Sequence, residues 1–544
     1  MLAENKKIIY FGLDALIGCL HLIKQRGFEV VKIFTFPDDG YDKTEALSAF
    51  AKENNIPISY VKPTKDEIME LYDSGVGLMI VGGYPWKIPV IENMYQVNIH
   101  PSVLPIGRGP WPMPVSILRG MDSGVTLHKL VEKIDEGDII LQEIIPYNPK
   151  NNLVMLTEEI AAAARRLIDT FLSDIEGLWE NAQPQAVGEY WNEPNESERT
   201  FELTDSVEKI DKILKAFYGY EALTEIYGVP LRIIEGEISD TADPDNPSVP
   251  VGDRYLICKR WDYSFREIRL SDMEKIEGIR KAYAPRLSDY TYSMLYCWQK
   301  ELDLSIYVDD DMYVVKAENE FFFPIGDKTK AISFIEGLLK LEGCVQLRFC
   351  DEQMKSAVTE HFGERAISHL AESDCDYVIS HKSMNSLAGK ALSKRRTEYN
   401  GFLRKHKNIK IDLIDRNNIY RVKSLAQNHK CEYIEAESRG IENYFELGLV
   451  GVIVSSDGED IGFAICSRKD NDTLQGHFLR NVCVDHSSMF YLLKLSMDYF
   501  SDQYSFTNIE DDMGNEGLRF FKKSIDPEII SSYNITIKQK DNLS

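Results

Sequence analysis

The 544-residue sequence lacks the features that mark secreted, membrane-spanning and metal-stapled proteins. Its nine cysteines form no Cys-x-x-Cys pair and have no histidines at the spacing of zinc ligands, so we expect reduced thiols and no metal. There is no run of about 18 apolar residues and no opening segment of the signal-peptide type. The sequence therefore predicts a cytoplasmic protein with no membrane span.

Positive charge is also scarce. The chain has 62 Lys and Arg against 87 Asp and Glu, which gives a formal net charge of −25. An acidic field of this size repels polyanions, so extended contact with nucleic acid is disfavoured unless a local basic patch compensates. A small acceptor therefore suits this chain better than tRNA.

The first part of the chain alternates between short apolar runs and amphipathic segments. We predict strands over residues 7–12, 30–36, 58–61 and 77–82, with helices over residues 20–26, 43–54 and 65–73. Alternation of this kind predicts an α/β fold, a Rossmann-like parallel sheet with helices on both faces. The first strand ends at Gly12 without a complete Gly-x-Gly-x-x-Gly motif, so a dinucleotide site is not supported.

The pattern changes at a polar, turn-forming stretch over residues 192–198. Beyond it lie one predicted helix and several short β-rich runs, and from about residue 270 helices and strands mix to the end. We predict a catalytic domain over residues 1–195, a small β-rich domain over residues 196–268, and an α+β domain over residues 269–544.

Two polar side chains end a predicted strand. Asn98 and His100 are two residues apart, so strand alternation points both to the same face, while Val97 and Ile99 point into the core. Pro101 then ends the strand, which leaves the pair at the edge where open α/β sheets bind their ligands.

A carboxylate can join this pair. The segment from Gly124 predicts two strands joined by an Asp-Glu-Gly turn, which holds Asp135 on a loop beside a neighbouring strand. Acyl transfer to an amine needs a base, a donor for the developing oxyanion and a group that orients the base. His100, Asn98 and Asp135 supply these roles in that order.

The motif Asn98-x-His100-Pro-Ser-x-Leu-Pro, with Arg108-Gly, Gly124-x-Thr-x-His128 and Asp135-x-Gly-Asp-Ile, resembles the 10-formyltetrahydrofolate-dependent formyltransferases. That family includes the methionyl-tRNA and sugar-nucleotide formyltransferases. The resemblance covers residues 1 to about 190, and residues 196–268 resemble the family's small β-rich C-terminal domain. It implies an N-formyltransferase that uses 10-formyltetrahydrofolate as co-substrate and the same Asn-His-Asp triad.

The resemblance also implies where the folate is held. The expected contacts lie in the loop that follows the strand over residues 77–82 and in the Asp135 loop: Gly83, Tyr84, Trp86, Ile88, Gly137 and Asp138.

Three further side chains are candidate substrate contacts. Ser102 belongs to the main motif, and Arg108 lies in a Gly-Arg-Gly loop, where it either contacts an anionic substrate or packs on the surface. His128 lies within a predicted strand, where it either faces the substrate or satisfies a buried polar contact.

Beyond residue 270, two strings resemble the C-terminal domain of the phosphatidylglycerol lysyltransferases, which is a tandem GNAT-type fold. The first is a predicted basic helix over residues 387–402, and the second runs from Asn508 to Lys522, before a helix predicted near Glu516. The sequence departs from that family at Gly476-His-Phe-Leu-Arg-Asn, where an acidic and basic pair is expected. Candidate site residues of this half are Lys394, Arg395, Arg396, Asn508, Glu510, Asp512 and Arg519.

The donor of this second half is left open between acyl-CoA and aminoacyl-tRNA, although no Gln/Arg-x-x-Gly-x-Gly loop for a CoA pyrophosphate is present. The leading interpretation is an N-formyltransferase for a small primary amine, an amino sugar or amino-acid derivative, fused to a GNAT-like acyltransferase or recognition domain. The alternatives are an enzyme that modifies aminoacyl-tRNA, and a second half that only binds or dimerises.

Overall fold

The computed structural model describes residues 6–38, 43–427, 434–482 and 488–539. The chain divides into two compact units, Met1–Ile226 with Leu231–Tyr263, and Tyr227–Pro230 with Ser264–Ser544. Each unit is described by itself below. The domain limits 1–195, 196–268 and 269–544 remain predictions.

The first unit begins with nine strands: β1 Lys7–Gly12, β2 Glu29–Phe34, β3 Ile58–Ser59, β4 Leu78–Gly82, β5 Tyr95–His100, β6 Ile106–Arg108, β7 Ser123–Lys129, β8 Ile139–Ile145 and β9 Glu189–Tyr190. Seven of them form one sheet in the order β3-β2-β1-β4-β5-β7-β8. The pairs among β1 to β5 are parallel, whereas β7 runs antiparallel to both β5 and β8. The Rossmann-like α/β fold is confirmed, with an antiparallel hairpin along one side.

The helices of the first unit are Ile17–Gln25, Glu45–Glu53, Lys65–Asp73, Pro112–Arg119, Leu153–Ser173, Ile175–Glu180 and Val207–Ala216. Thr64 begins the third of them by accepting a hydrogen bond from the backbone N–H of Glu67 at 3.2 Å. Buried side chains of the sheet pack together on one face, where the rings of Phe11 and Phe34 stack with centroids 4.6 Å apart.

The sequence over residues 157–181 predicts one helix, but the chain forms two, Leu153–Ser173 and Ile175–Glu180. They divide at Asp174, whose backbone is not helical and whose side chain accepts a hydrogen bond from the N–H of Gly177 at 3.0 Å. A side chain that caps a new helix in this way competes with continuation of the old one.

Four more strands, β10 Ala222–Ile226, β11 Val229–Ser239, β12 Ser248–Val251 and β13 Arg254–Tyr263, form the small β-rich sheet predicted after residue 196. Their order is β10-β11-β13-β12, and β13 pairs antiparallel with β11 and with β12.

The second unit mixes helices and strands. Its strands are β14 Leu304–Val308, β15 Tyr313–Ala317, β16 Glu320–Phe322, β17 Cys344–Cys350, β18 Ala366–Leu370, β19 Asp376–Ser380, β20 Lys410–Leu413, β21 Val450–Ser456, β22 Glu459–Arg468, β23 Thr473–Asn481, β24 Phe506–Asn508, β25 Glu528–Ile530 and β26 Tyr533–Lys538. They form two sheets, β14-β15-β16-β17-β26-β18 and β20-β21-β22-β23-β24-β19-β25.

The helices of the second unit are Met273–Tyr283, Tyr292–Trp298, Lys328–Glu342, Glu352–Phe362, His381–Ser386, Ser393–Lys405, Ile419–Gln427, Ile434–Glu442, Ser488–Phe500 and Glu516–Lys523. The apolar runs over residues 447–454 and 460–466 predict a hairpin of adjacent strands, which is present as β21 and β22. Two mixed sheets with helices agree with the predicted α+β architecture, although the last strand, β26, returns to the first of these sheets.

Candidate active site

Three predicted side chains meet at one edge of the first unit's sheet. Asn98 and His100 lie at the end of β5, and Asp135 lies in the turn between β7 and β8. The amide Nδ2 of Asn98 donates to Asp135 Oδ1 at 3.3 Å, and His100 Nδ1 lies 3.6 Å from Asp135 Oδ2. Strand pairing explains this meeting, because β7 lies beside β5 and delivers its turn to the same edge.

The turn that carries Asp135 has a constrained backbone. Asp135 has a φ of 55°, a left-handed conformation that aspartate tolerates better than most residues. A Cβ at Gly137 would lie 1.8 Å from the Lys129 carbonyl oxygen, so only glycine fits there. The Gly109 N–H donates to Asp135 Oδ2 at 2.9 Å and fixes the carboxylate from the other side.

The hydrogen bonds of His100 define its tautomer. Its Nε2 lies 2.7 Å from the carbonyl oxygen of Gly107, an atom that can only accept, so we assign the proton of the neutral ring to Nε2. The lone pair is then on Nδ1, the nitrogen nearer Asp135. Burial lowers the pKa of His100 below its ordinary value, against the opposing effects of Asp135 and of the Gly107 carbonyl. His100 is therefore neutral and ready to take a proton.

The charge of Asp135 is set by its neighbours. Burial by itself would raise the pKa of this carboxyl, but the neighbouring His128 and His100 rings and the Gly109 N–H outweigh burial and lower it. The site thus holds a fixed carboxylate beside a neutral imidazole, which favours the imidazolium once a proton arrives.

His128 belongs to the same cluster. Its Nδ1 bonds to the Lys129 carbonyl oxygen at 2.9 Å, so its Nε2 accepts from Asn98 Nδ2 at 3.0 Å. Both amide hydrogens of Asn98 are then used, one by His128 and one by Asp135. His128 is 2% exposed and satisfies a buried contact, the second of the two roles considered for it; substrate contact stays a prediction.

The expected folate loop starts at the same edge. β4 ends at Gly82 and pairs with β5, with Val81 opposite Asn98. Tyr84 and Trp86 are half-buried, with ring centroids 5.4 Å apart, and Ile88 is buried beneath them.

The hydroxyl of Tyr84 is buried and has no hydrogen-bond partner among the described residues. Burial raises the pKa of Tyr84 to about 12, so the hydroxyl remains a neutral donor. Half-buried aromatic rings with an unused polar group fit a flat heteroaromatic ligand such as folate, and Gly83 is exposed at the start of the loop. On the opposite side of the site, Asp138 is held by Lys129 at 3.3 Å.

Two substrate candidates are engaged within the protein. The Ser102 hydroxyl donates to the Ile106 carbonyl oxygen at 2.9 Å and is buried. Arg108 donates to Gln185 Oε1 from Nε at 3.1 Å and from Nη2 at 2.8 Å, and its Nη1 lies 3.6 Å from Glu136. Of the two roles considered for Arg108, the structure shows packing, and an anionic substrate would have to displace these partners.

A cavity of about 250 Å³ lies in the second unit. β23 and β24 are paired from Thr473↔Phe506 to Gln475↔Asn508, and the cavity is lined by the part of β23 beyond this pairing, where β23 is still paired with β22. Its walls are mostly apolar, and its polar lining includes Glu510, Asp511, Lys522 and His477.

The string from Asn508 to Lys522 is evident in the sequence, but neither Lys522 nor His477 is among the candidate site residues predicted from it. The Nδ1 of His477 lies 2.9 Å from Glu510 Oε1, and the Lys522 ammonium donates to backbone carbonyl oxygens of Ile509, Glu510 and Asp511. Burial lowers the pKa of Lys522, although the nearby carboxylates oppose that change. No local pattern signals these contacts, because they join β23, β24 and the last helix.

The other predicted residues of this string serve the framework. Asn508 is fully buried and donates to Asp376 Oδ2 at 2.7 Å. Asp512 is also fully buried, with both its oxygens 2.8 Å from Arg519 and with the Tyr377 hydroxyl donating at 2.6 Å. Glu510 lines the cavity described above, whereas Asn508, Asp512 and Arg519 do not.

The predicted basic helix begins later than expected, at Ser393, because Leu387 adopts a left-handed φ of 45° and ends the preceding helix. Lys394 is exposed, but Arg395 pairs with Glu398 at 3.0 Å and covers the rings of Phe490 and Phe521. Arg396 donates to the Leu387 carbonyl oxygen. The three side chains therefore do not form one open cationic surface.

Within residues 6–38, 43–427, 434–482 and 488–539, no group of three or more His, Cys, Asp or Glu side chains is arranged to hold a metal ion. No helix of those same ranges has the length and apolar character needed to cross a membrane. Seven cysteines are free thiols, whereas Cys431 and Cys483 lie outside the described residues.

Residues 19–171 match the formyl transferase family, and residues 280–536 match the C-terminal domain of phosphatidylglycerol lysyltransferase. The chain thus contains one region similar to each of these two domains. The expected formyltransferase resemblance, the enzyme class and the second-half resemblance are thereby confirmed, and the co-substrate of the formyltransferase family is 10-formyltetrahydrofolate.

Two curated relatives are methionyl-tRNA formyltransferases. That of Anaplasma marginale is 29% identical over 234 residues, which cover 39% of this chain and 74% of that protein. That of Coprothermobacter proteolyticus is 38% identical over 133 residues, 23% of this chain and 43% of that protein. An N-formyltransferase of Helicobacter canadensis, solved with folinic acid and dTDP-3-aminofucose, superposes with a TM-score of 0.36 at 20% identity, over 47% of this chain and 98% of that one.

Proposed function

We propose that the first unit transfers a formyl group from 10-formyltetrahydrofolate to the primary amine of a small molecule, an amino sugar or an amino-acid derivative. The observation that carries this proposal is the meeting of Asn98, His100 and Asp135 at the sheet edge, with a neutral imidazole against an ionised carboxylate. The half-buried rings of Tyr84 and Trp86 beside this edge support a folate site there.

Each side chain has one task in this mechanism. The formyl-folate supplies the one-carbon group. As the amine nitrogen bonds to the formyl carbon, His100 takes the amine proton at Nδ1, and Asp135 stabilises the resulting imidazolium at 3.6 Å. The same proton then leaves Nδ1 for the departing nitrogen.

Asn98 is the donor for the oxygen that gains negative charge. Its amide hydrogens are both used in the present arrangement, so one bond must be exchanged for the oxyanion. The bond to Asp135, at 3.3 Å, is longer than the bond to His128, at 3.0 Å, and is the one that we expect to be exchanged.

The choice of a small acceptor follows from charge. The chain carries a net charge of −25, and its predicted basic helix has most of its guanidinium groups engaged. The runner-up is an enzyme that modifies the aminoacyl group of tRNA, which agrees with the names of the curated relatives as methionyl-tRNA formyltransferases. Salt-dependent tRNA binding separates the two, because contacts with phosphates release counterions. Absence of binding at low salt excludes the tRNA function.

For the second half, we infer a GNAT-like acyltransferase or recognition domain whose ligand enters the cavity beside Glu510 and Lys522. The alternative is a domain that only binds a ligand or dimerises. In that case, a substitution that fills the cavity should change no reaction rate. We also place the protein in the cytoplasm, where its free thiols remain reduced.

The decisive experiment incubates the full chain with 10-formyltetrahydrofolate and a panel of amino sugars and amino acids, and follows the mass gain of one formyl group. The His100→Ala protein is the paired control, since it lacks the proposed base but keeps the folate loop. Formyl products at equal rates with both proteins would refute the proposed mechanism.

A further inference from the structure

A segment beyond the matched formyl transferase residues holds both loops of the active site. Residues 183–191, here called the strap, lie after the match to residues 19–171 ends. The backbone N–H groups of Glu189 and Trp191 donate to the carbonyl oxygens of Pro105 and Arg108, at 3.1 and 2.7 Å. The strap therefore fixes the loop over residues 104–109.

The same segment binds the Asp135 turn. The backbone of Gln183 exchanges two hydrogen bonds of 2.8 Å with Ile139, where β8 begins. The side-chain Nε2 of Gln185 donates to the carbonyl oxygens of Asp135, at 2.8 Å, and of Gly137, at 2.6 Å. Because the turn has a left-handed residue at Asp135, its carbonyl groups need such fixed partners to keep their direction.

Gln185 joins the two loops through one amide group. While Nε2 holds the turn, Oε1 accepts both the Nε and Nη2 hydrogens of Arg108, at 3.1 and 2.8 Å. Arg108 stands between Gly107, whose carbonyl oxygen binds His100, and Gly109, whose N–H binds Asp135. One glutamine thus connects the backbone partners of both the imidazole and the carboxylate.

We propose that Gln185 is a positioning residue for formyl transfer, which holds His100 and Asp135 in register through the Arg108 loop and the Asp135 turn. This inference rests on the proposed function for its catalytic consequence. It also predicts a property of the protein without substrate, namely that Gln185 keeps water away from His100 and keeps its proton on Nε2.

The direction of the expected change follows from the causes that act on His100. Burial is the largest influence and lowers its pKa. Loss of Gln185 releases the turn with Asp135 and the loop with Gly107, so water reaches the ring. Asp135 and the Gly107 carbonyl raise the pKa of His100 and His128 lowers it, but burial is the largest of these influences, so we expect the pKa to rise towards its ordinary value. A released Gly107 carbonyl also stops selecting the Nε2 tautomer.

The test uses the full chain labelled with ¹⁵N-histidine, in which the ring nitrogens are followed by NMR across a pH titration and His100 is identified with a His100→Gln protein. Gln185→Ala removes both functions of the amide. Gln185→Glu keeps the shape and the acceptor for Arg108 but turns a carboxylate oxygen towards two carbonyl oxygens. Gln183→Ala is the matched control, because that side chain is exposed and donates to the Asn181 carbonyl oxygen, at 2.7 Å, and not to the Asp135 turn.

We expect the pKa of His100 to rise in both Gln185 variants and to stay low in Gln183→Ala. With the amine found in the screen, turnover should fall on the order of 100-fold in the Gln185 variants, with a smaller change in the KM of the amine. An unchanged His100 titration in a folded Gln185→Ala or Gln185→Glu protein overturns the proposal. If His100 titrates as expected but the native protein formylates no amine, the proposed function fails and the positioning role stands.

Discussion

Two buried carboxyl groups, one in each unit, carry opposite protonation tendencies. Asp135 in the first unit is 8% exposed, and its pKa lies below the ordinary value despite burial. Asp289 in the second unit is 3% exposed, and its pKa is raised by burial and by the charges of Asp376 and Asp511. Burial is common to both, so the neighbours decide the charge: imidazoles and an N–H group at Asp135, other carboxylates at Asp289.

The difference separates what the two regions can do. The first site holds a permanent anion that stabilises an imidazolium during proton transfer. The second region stores protons near neutrality, since the pKa of Asp511 is raised to about 8, mainly by burial and by Asp376. Buried carboxyl groups with shifted pKa values occur at functional sites and also in structural charge networks.

The largest expected effect comes from removing the base of the first site. His100→Ala should lower formyl transfer by about 100-fold to 10,000-fold without unfolding the protein, because the imidazole acts on the transition state. Turnover and a thermal unfolding curve are measured together. His361→Ala is the control, since that histidine is exposed, pairs with Glu336 and contacts the neighbouring ring of Phe362. A comparable loss in both variants would contradict the assignment.

Asp135→Asn removes the charge of the carboxyl group but keeps the shape of the side chain. We expect turnover to fall on the order of 100-fold with folate binding retained, because an amide does not stabilise the imidazolium. Asp135 raises the pKa of His100, so its loss should move the acidic limb of the pH–rate profile to lower pH. A profile that stays in place would argue against this coupling.

Asp289→Asn tests the opposite case, a buried carboxyl group whose pKa is raised. A carboxyl whose pKa is raised on folding binds more protons in the folded state, so it costs stability as pH rises from its unfolded value of 3.8. The wild-type free energy of unfolding should therefore decrease between about pH 5 and about pH 8 more steeply than that of Asp289→Asn. Denaturant titrations at both pH values test this, with the exposed Asp502→Asn as control.

The pH dependence of the stability that Asp135 contributes has the opposite sign. Its pKa is lowered on folding, so its contribution to stability is present above an unfolded value of 3.8 and is lost as pH falls through the folded pKa.

For Asp289, the contradicting result is a free energy of unfolding that changes equally with pH in Asp289→Asn and in the wild type. The pKa of Asp289 would then not be raised on folding.

The smallest effect is expected at the exposed cation of the second unit. Lys394→Glu should leave formyl transfer within about twofold, because the charge of an exposed side chain is screened by solvent and salt. Arg395→Glu should instead lower the unfolding temperature, since Arg395 pairs with Glu398 and covers two aromatic rings. The unfolding temperature and the turnover of both variants are measured. Together they show whether each side chain of the basic helix is only solvated or also stabilises the fold.

Much of the first unit follows from local pattern. The helix over residues 65–73 was predicted with the limits that the structure shows, because Thr64 caps its start and the apolar spacing continues to its end. The strand that carries Asn98 and His100 is equally local, since its alternation and the following proline suffice. By contrast, the basic helix was placed six residues too early, because the left-handed Leu387 has no sequence signal.

The sequence by itself determined the folds of both halves and the three polar residues of the first site, because strand period and motif spacing act over a few residues. Only the tertiary structure decided how these residues are charged and held. The turn at Asp135 is supported by Gln185, 50 residues later, and Asp376 receives the amide of Asn508, 132 residues later. Contacts over such separations depend on how strands close into sheets, and the burial and neighbours that set each pKa arise only after that closure.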